Sequence, residues 1–143
     1  MDPSEAYPNS EAVSQCLVLV ADEARVDSLG HLNNGAYVAY LERGRINFYR
    51  HIGLELESPQ PNGLGTVVVN MNINFRRECF AGDTLHILTQ THSRGRRSYS
   101  LTQTISRDSG EVVCDAQVTN VIMDLNTRSV VEIPLALSRL YLT

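Results

Sequence analysis

The sequence predicts an α+β domain in which one long helix packs on an antiparallel sheet. Two observations carry that expectation. Apolar residues recur at three- and four-residue steps over a single segment centred near residue 44, the period of a helix face. Downstream of residue 65 the period drops to two and short turn signals punctuate it, as in strands joined by hairpins. A chain of 143 residues holds one compact domain with a real core and is too short for two comfortable ones.

The elements follow in order. "QCLVLVADEA" (Gln15 to Ala24) is a short run rich in valine and leucine and reads as a buried strand. In "GAYVAYLERGRINFYRHIGL" the residues Tyr37, Tyr40, Leu41, Gly44, Phe48 and Ile52 form the helical stripe, which Val38 and Ile46 widen. Asn33 or Asn34 can cap the first turn, and Gly53 suits the left-handed residue that ends a helix. Arg50 and His51 place positive charge in the last turn, where the helix dipole favours it. "ESPQPNGLG" (Glu57 to Gly65) reads as a loop.

In "TVVVNMNINFRR" Val67, Val69, Met71, Ile73 and Phe75 should point one way, and Asn70, Asn72, Asn74 and Arg76 the other. "AGD" turns into "TLHILTQTH", "SRGRR" into "SYSLTQTIS", and "RDSGE" into the long "VVCDAQVTNVIMDL". "NTRS" then leads to a final "VVEIP". One sheet face is apolar and can take the helix. The other carries asparagine, glutamine, histidine and threonine, and meets either water or another subunit.

Hydrophobic content is 43% and charged content 20%, ordinary for a soluble globular protein. A net charge of -4 argues against a general nucleic-acid binder, because affinity for a polyanion rests on cationic side chains. No apolar run approaches the roughly 18 residues that span a bilayer. The polar, acidic "MDPSEAYPNSEA" is the reverse of a signal peptide and is expected to be a frayed arm. Three widely spaced cysteines without a CxxC pair argue against disulfides or zinc and favour the cytoplasm. Cys16 and Cys114 sit in apolar runs and should be core; Cys79, beside Arg77 and Glu78, should lie near the surface.

The segment "DSLGHLNNGAYVAYLERGRINFY" resembles the pattern of the 4-hydroxybenzoyl-CoA thioesterase-like hotdog family: Asp, then Gly-His-x-Asn-Asn, then Tyr, then Glu-x-x-Arg. "INFRRECFAGDTL" and "VIMDLNTRSVVEIP" agree with it, so the resemblance covers about Leu17 to Pro134. It implies a hotdog fold, with a curved sheet around the helix, over residues 13–143 behind an arm of residues 1–12. It implies hydrolysis of acyl thioesters, mostly of coenzyme A, in a homodimer or a tetramer built of two dimers, with the active site between subunits. No cofactor or metal is implied, since coenzyme A is part of the substrate. The carboxylate at Asp27 would attack the thioester or activate water.

The chemistry of the segment suits that role. Thioester hydrolysis places negative charge on the former carbonyl oxygen, and a helix N-terminus offers unpaired N–H groups and about half a positive charge. The backbone amides of Asn34 and Gly35 are the expected donors; one well-aimed donor is worth roughly 3–4 kcal/mol. Asp27 could form a mixed anhydride or take a proton from water. His31 either fixes the loop or orients Asp27. Asn33 serves as a cap or turns its amide to the substrate. Glu42 either pairs with Arg45 three residues on or touches the acyl group or a bound water. Tyr37, Tyr40 and Phe48, together with the loop Glu57 to Gly65, are candidate walls for the acyl group.

Arg94, Arg96 and Arg97 of "SRGRR" are expected to hold the nucleotide phosphates, since guanidinium forks suit phosphate; Arg76 and Arg77 form a second cluster. Three other functions compete. A thioesterase acting on acyl carrier protein would carry asparagine two places after the aspartate, where this chain has Leu29. A hotdog hydratase needs an Asp-to-His spacing that Asp27 and His31 do not meet. A non-catalytic acyl-CoA binder would not need the intact Asp27.

Overall fold

The computed structural model describes residues 12–54 and 63–141. The expected arm, apart from Ala12, and the expected loop over Glu57–Gly65 up to residue 62 lie outside these. Strand β1 (Ser14–Val20) precedes helix α1 (Asn34–His51). Then come β2 (Leu64–Phe75), β3 (Thr84–Arg94), β4 (Ser98–Arg107), β5 (Val112–Asp124) and β6 (Ser129–Val131), followed by a short helix α2 (Leu135–Ser138). The strands form one six-stranded antiparallel sheet in the order β1-β3-β4-β5-β2, with β6 paired to β5.

Helix α1 spans about 27 Å at 1.5 Å per residue, and its ends are those the sequence predicts. Asn33 is the N-cap, and its side-chain oxygen accepts the Ala36 N–H at 2.9 Å. Gly53 takes a φ of 80° past the C-terminus, a conformation open to glycine. Tyr37, Tyr40, Leu41, Gly44 and Phe48 are buried against the sheet as expected. Val38 is 37% exposed, while Arg45 and Tyr49 are buried, so the buried stripe is rotated from the one anticipated. At Gly44 an added Cβ would lie 2.5 Å from Ile87 Cγ2; only a residue without a side chain allows the helix this close to β3.

The inner face of the sheet continues into the helix. Leu85, Ile87, Leu101, Ile105, Ala116 and Val118 are fully or almost fully buried. Strand β2 departs from its predicted alternation. A bulge between Val68 and Asn70 shifts the register, so Thr66 and Val68 face Ile122 and Asn120, while Met71 and Ile73 face Val118 and Ala116. One extra residue reverses the parity, and Val69 ends 55% exposed.

Strand β1 is an edge strand, paired within this chain only to β3, and its Val18 and Val20 are exposed; it is not the buried strand its composition suggested. The cysteine expectations invert for two of three. Cys16 is exposed because it lies on the outer face of that edge. Cys79 is fully buried because the chain after β2 turns inward beneath the first turn of α1. Cys114 is buried as expected, and burial pushes its thiol pKa up to about 12.

Candidate active site

A small closed loop brings the singled-out residues together. Val26 and Leu32 form an isolated antiparallel bridge, and the Asn33 N–H donates to the Arg25 carbonyl at 3.0 Å. The tip, residues 27–31, therefore stands beside the N-cap of α1. Gly30, with φ of 91°, makes the turn, and Gly30 N–H donates to the Asp27 carbonyl. Asp27 Oδ1 accepts the Leu29 N–H at 2.9 Å, which fixes the carboxylate's rotamer. Its other oxygen, Oδ2, lies 3.5 Å from His31 Nδ1. The Asp27 and His31 side chains are 31% and 26% exposed, so both are screened from bulk water without being sealed.

The sequence reading missed Glu78. Its Oε2 lies 3.6 Å from His31 Nε2, on the far side of the ring from Asp27. The imidazole is thus held between two carboxylates. The segment after β2 is drawn here by two bonds: Leu32 N–H donates to the Cys79 carbonyl at 2.8 Å, and Tyr37 O–H to the Arg77 carbonyl at 3.0 Å. Glu78 lies far downstream of Asp27 in sequence, and nothing local marks it as a partner of His31.

At the head of α1 the Asn33 side chain takes the Ala36 amide. The amides of Asn34 and Gly35 have no acceptor within their own helix, as the first donors of any helix do not, and none among the described residues meets them. Both residues are exposed. The arrangement offers a carboxylate, an imidazole and two free donors on one open surface.

The structure assigns other roles to three candidates. Tyr37 is 2% exposed, its ring lies edge-on to Phe75 at 5.6 Å, and its hydroxyl is committed to Arg77. It ties α1 to the end of β2 and does not present a surface to substrate. Tyr40 and Phe48 are likewise core. Glu42 does not pair with Arg45, whose Nη1 donates instead to Gln103 Oε1 at 3.1 Å within the core. Gln103 in turn donates to the Leu41 carbonyl and to Thr89 Oγ1. Burial pushes the pKa of Arg45 down from the ordinary arginine value. Glu42 is exposed, about 10 Å along the helix from Gly35.

Arg94, Arg96 and Arg97 are not brought to Asp27 within one chain. Their turn closes the far end of β3, about 30 Å from the Cys79–Asp83 segment at about 3.3 Å per strand residue. It sits beside the C-terminal half of α1, where Tyr49 and Tyr99 share a hydrogen bond of 2.6 Å. Arg96 pairs there with Glu132 at 3.1 Å. Arg76 and Arg77 do lie at the Asp27 end, but both face carboxylates: Arg76 pairs with the buried Asp115, and Arg77 Nε stands 3.6 Å from Glu111. They border an open groove of about 810 Å³ with Phe75, Gly110 and Glu111. Among the described residues no cluster of three metal-binding side chains occurs, and no helix is long and apolar enough to cross a membrane.

A family model described as the thioesterase-like superfamily matches residues 21–140. The chain is 35% identical over 108 residues, 72% of its length and 78% of the relative's, to the long-chain acyl-CoA thioesterase FadM of Escherichia coli K12. Among solved structures it is similar to the probable thioesterase YbaW of Escherichia coli, with a TM-score of 0.72 and 29% identity over 87% of this chain and 94% of that one. It also shares its fold with the 1,4-dihydroxy-2-naphthoyl-CoA thioesterase Slr0204 of Synechocystis, with a TM-score of 0.81 at 15% identity over 90% and 96% of the two chains.

Proposed function

The chain belongs to the thioesterase-like superfamily, and from that premise we propose that it is a hydrolase splitting acyl-CoA thioesters into free acid and coenzyme A. The observation that carries the reading is the pairing of Asp27 with His31 beside a helix head whose Asn34 and Gly35 amides are unclaimed.

In this reading the acyl carbonyl oxygen sits on those amides, which meet the charge that develops as the carbonyl carbon becomes tetrahedral. Asp27 then acts in one of two ways. As nucleophile it forms a mixed anhydride and expels the thiolate, and water cleaves the anhydride. As general base it takes the proton of a water that attacks the carbonyl. His31 orients Asp27, and Glu78 orients His31. Coenzyme A is substrate, and the reaction calls for no cofactor or metal.

The acyl group in this proposal is a long aliphatic chain. Four large apolar residues surround the site with exposed side chains: Leu29 at 78%, Phe75 and Phe80 at 45%, and Val38 at 37%. An apolar substrate removes such surface from water, and the named activity of the Escherichia coli relative points the same way. The working form is a homodimer joined along β2, or a tetramer of two such dimers. Among the described residues the outer edge of that 12-residue strand has no partner, and this and the exposed Val68 and Val69 support the edge contact. The reading places the enzyme in the cytoplasm.

Thiol release from short, long, branched and aryl acyl-CoAs tests the reading, with Asp27→Asn as control. Long-chain substrates should turn over fastest and the control should fail. Glu78→Gln should lower kcat with little change in KM, and by less than Asp27→Asn. Full hydrolysis by Asp27→Asn would remove Asp27 from the chemistry, and a wild type that binds acyl-CoA without releasing thiol would leave an acyl-CoA binder as the better description.

A further inference from the structure

All twelve cationic side chains of this chain are arginines, and five of them are held by the partners named next. Arg45 is bound in the core, Arg76 and Arg77 face Asp115 and Glu111, Arg96 faces Glu132, and Arg107 meets both Asp83 and Glu111. Two exposed arginines at the active end stand apart. Among the described residues neither Arg25 nor Arg43 takes part in an ion pair. Both line one groove of about 610 Å³, with Val20, Ala21, Tyr40 and Gly82 in its walls.

From the geometry we infer that this groove is a phosphate subsite, in which Arg25 and Arg43 hold the nucleotide phosphates of coenzyme A. The inference rests on acyl-CoA being the substrate. Placement is the first argument. Arg25 is two residues before Asp27, and its carbonyl accepts the Asn33 N–H at 3.0 Å, so its backbone is pinned to the cap of α1. Arg43 lies eight residues beyond Gly35, about 12 Å along the helix. A thioester at the helix head and phosphates beside Arg43 are thus separated by a stretch that an extended pantetheine arm can cover.

Rigidity is the second argument. Tyr40 forms the groove floor, and its hydroxyl accepts the Asp22 N–H at 2.9 Å. The opposite wall is stitched by Ala21 N–H to the Asp83 carbonyl and Gly82 N–H to the Ala21 carbonyl. Two guanidinium forks on a fixed frame suit a phosphate group, which accepts paired hydrogen bonds. Asp22 and Glu23 lie on the same wall and exclude a simple anion trap; they favour a ligand that brings its own polar donors along with its phosphates. Arg94, Arg97, Arg128 and Arg139, which also take part in no ion pair among the described residues, lie towards the far end of α1.

The test compares acyl-CoA with the same acyl group on pantetheine, which lacks the nucleotide. It uses the wild type, an Arg25→Glu/Arg43→Glu double variant and an Arg96→Glu/Arg97→Glu double variant. Removing one charge-assisted hydrogen bond to phosphate should weaken binding about tenfold. The first variant should therefore raise KM for acyl-CoA by about a hundredfold and leave KM for acyl-pantetheine as it was. An equal rise for both substrates, or a nucleotide-dependent rise in the second variant alone, overturns the inference. So does a loss seen only with acyl groups on carrier protein. Calorimetric binding of free coenzyme A separates the two proposals. If the wild type hydrolyses neither thioester, the enzymatic reading falls. The groove then stands if only the Arg25→Glu/Arg43→Glu variant loses coenzyme A, and falls if it binds as the wild type does.

Discussion

The two ends of helix α1 are built from similar materials and reach opposite states. At the C-terminal end, polar groups form a closed chain. The Tyr49 and Tyr99 hydroxyls meet at 2.6 Å, Tyr99 meets Thr66 Oγ1 at 2.5 Å, and Thr66 donates to Asn120 Oδ1 at 3.3 Å. Tyr141 closes over them with its hydroxyl on the Ser100 carbonyl, and Leu137 and Ile133 complete the seal. Burial pushes the Tyr99 and Tyr141 pKa values up, which keeps both phenols neutral. At the N-terminal end the polar groups stay open: Asp27 and His31 are partly exposed and the first amides lack acceptors. A satisfied polar network stabilises, whereas an unsatisfied one at the surface is available for a substrate.

This contrast can be broken most sharply at Asp27. Asp27→Asn keeps an oxygen for the Leu29 amide but loses the anion, so kcat should fall by about 10²–10⁴-fold with little change in thermal stability. A thiol-release assay beside a melting curve checks both halves.

Tyr99→Phe should do the reverse. It strips partners from the Tyr49 and Thr66 hydroxyls in a buried site and should cost about 1–3 kcal/mol of stability in urea unfolding. Turnover per folded molecule should not change; a fall in kcat would mean the two ends are coupled.

Asn33→Ala sharpens the comparison at the open end. It removes the cap from the Ala36 N–H and should cost about 1 kcal/mol, less than the loss at the sealed end. Urea unfolding of the two variants side by side checks the order.

The last effect is confined to alkaline pH and vanishes at neutrality. The Cys114 thiol is held up to about 12 in the fold and returns to its ordinary 9.0 on unfolding. The stability it contributes is therefore complete below pH 9 and lost between pH 9 and 12, at most about 1.4 kcal/mol per pH unit. Urea unfolding across that window should show a shallower decline for Cys114→Ala than for the wild type; identical slopes would remove Cys114 as a cause.

Much of this molecule was legible in the chain because its signals are local. The helix of residues 34–51, its Asn33 cap and its Gly53 terminator follow from spacing and backbone preference alone. The same holds for the strands and for the loop that carries Asp27 and His31. Other features depend on neighbours that sequence does not reveal. A single bulge in β2 reversed which residues face inward upstream of it, while Met71 and Ile73 kept the expected side. The edge position of β1 exposed valines and Cys16 that composition assigned to the core. Arg45 found Gln103, 58 residues away, instead of the nearby Glu42. Glu78 reached His31 only because the chain after β2 folds back under α1. The distribution of arginines was likewise decided by the tertiary fold, which sent "SRGRR" to the sealed end and left Arg25 and Arg43 beside the open one. Backbone preference acts between adjacent residues and can be read along the chain. Burial and pairing act through space, and they are fixed only when the sheet has closed around its helix.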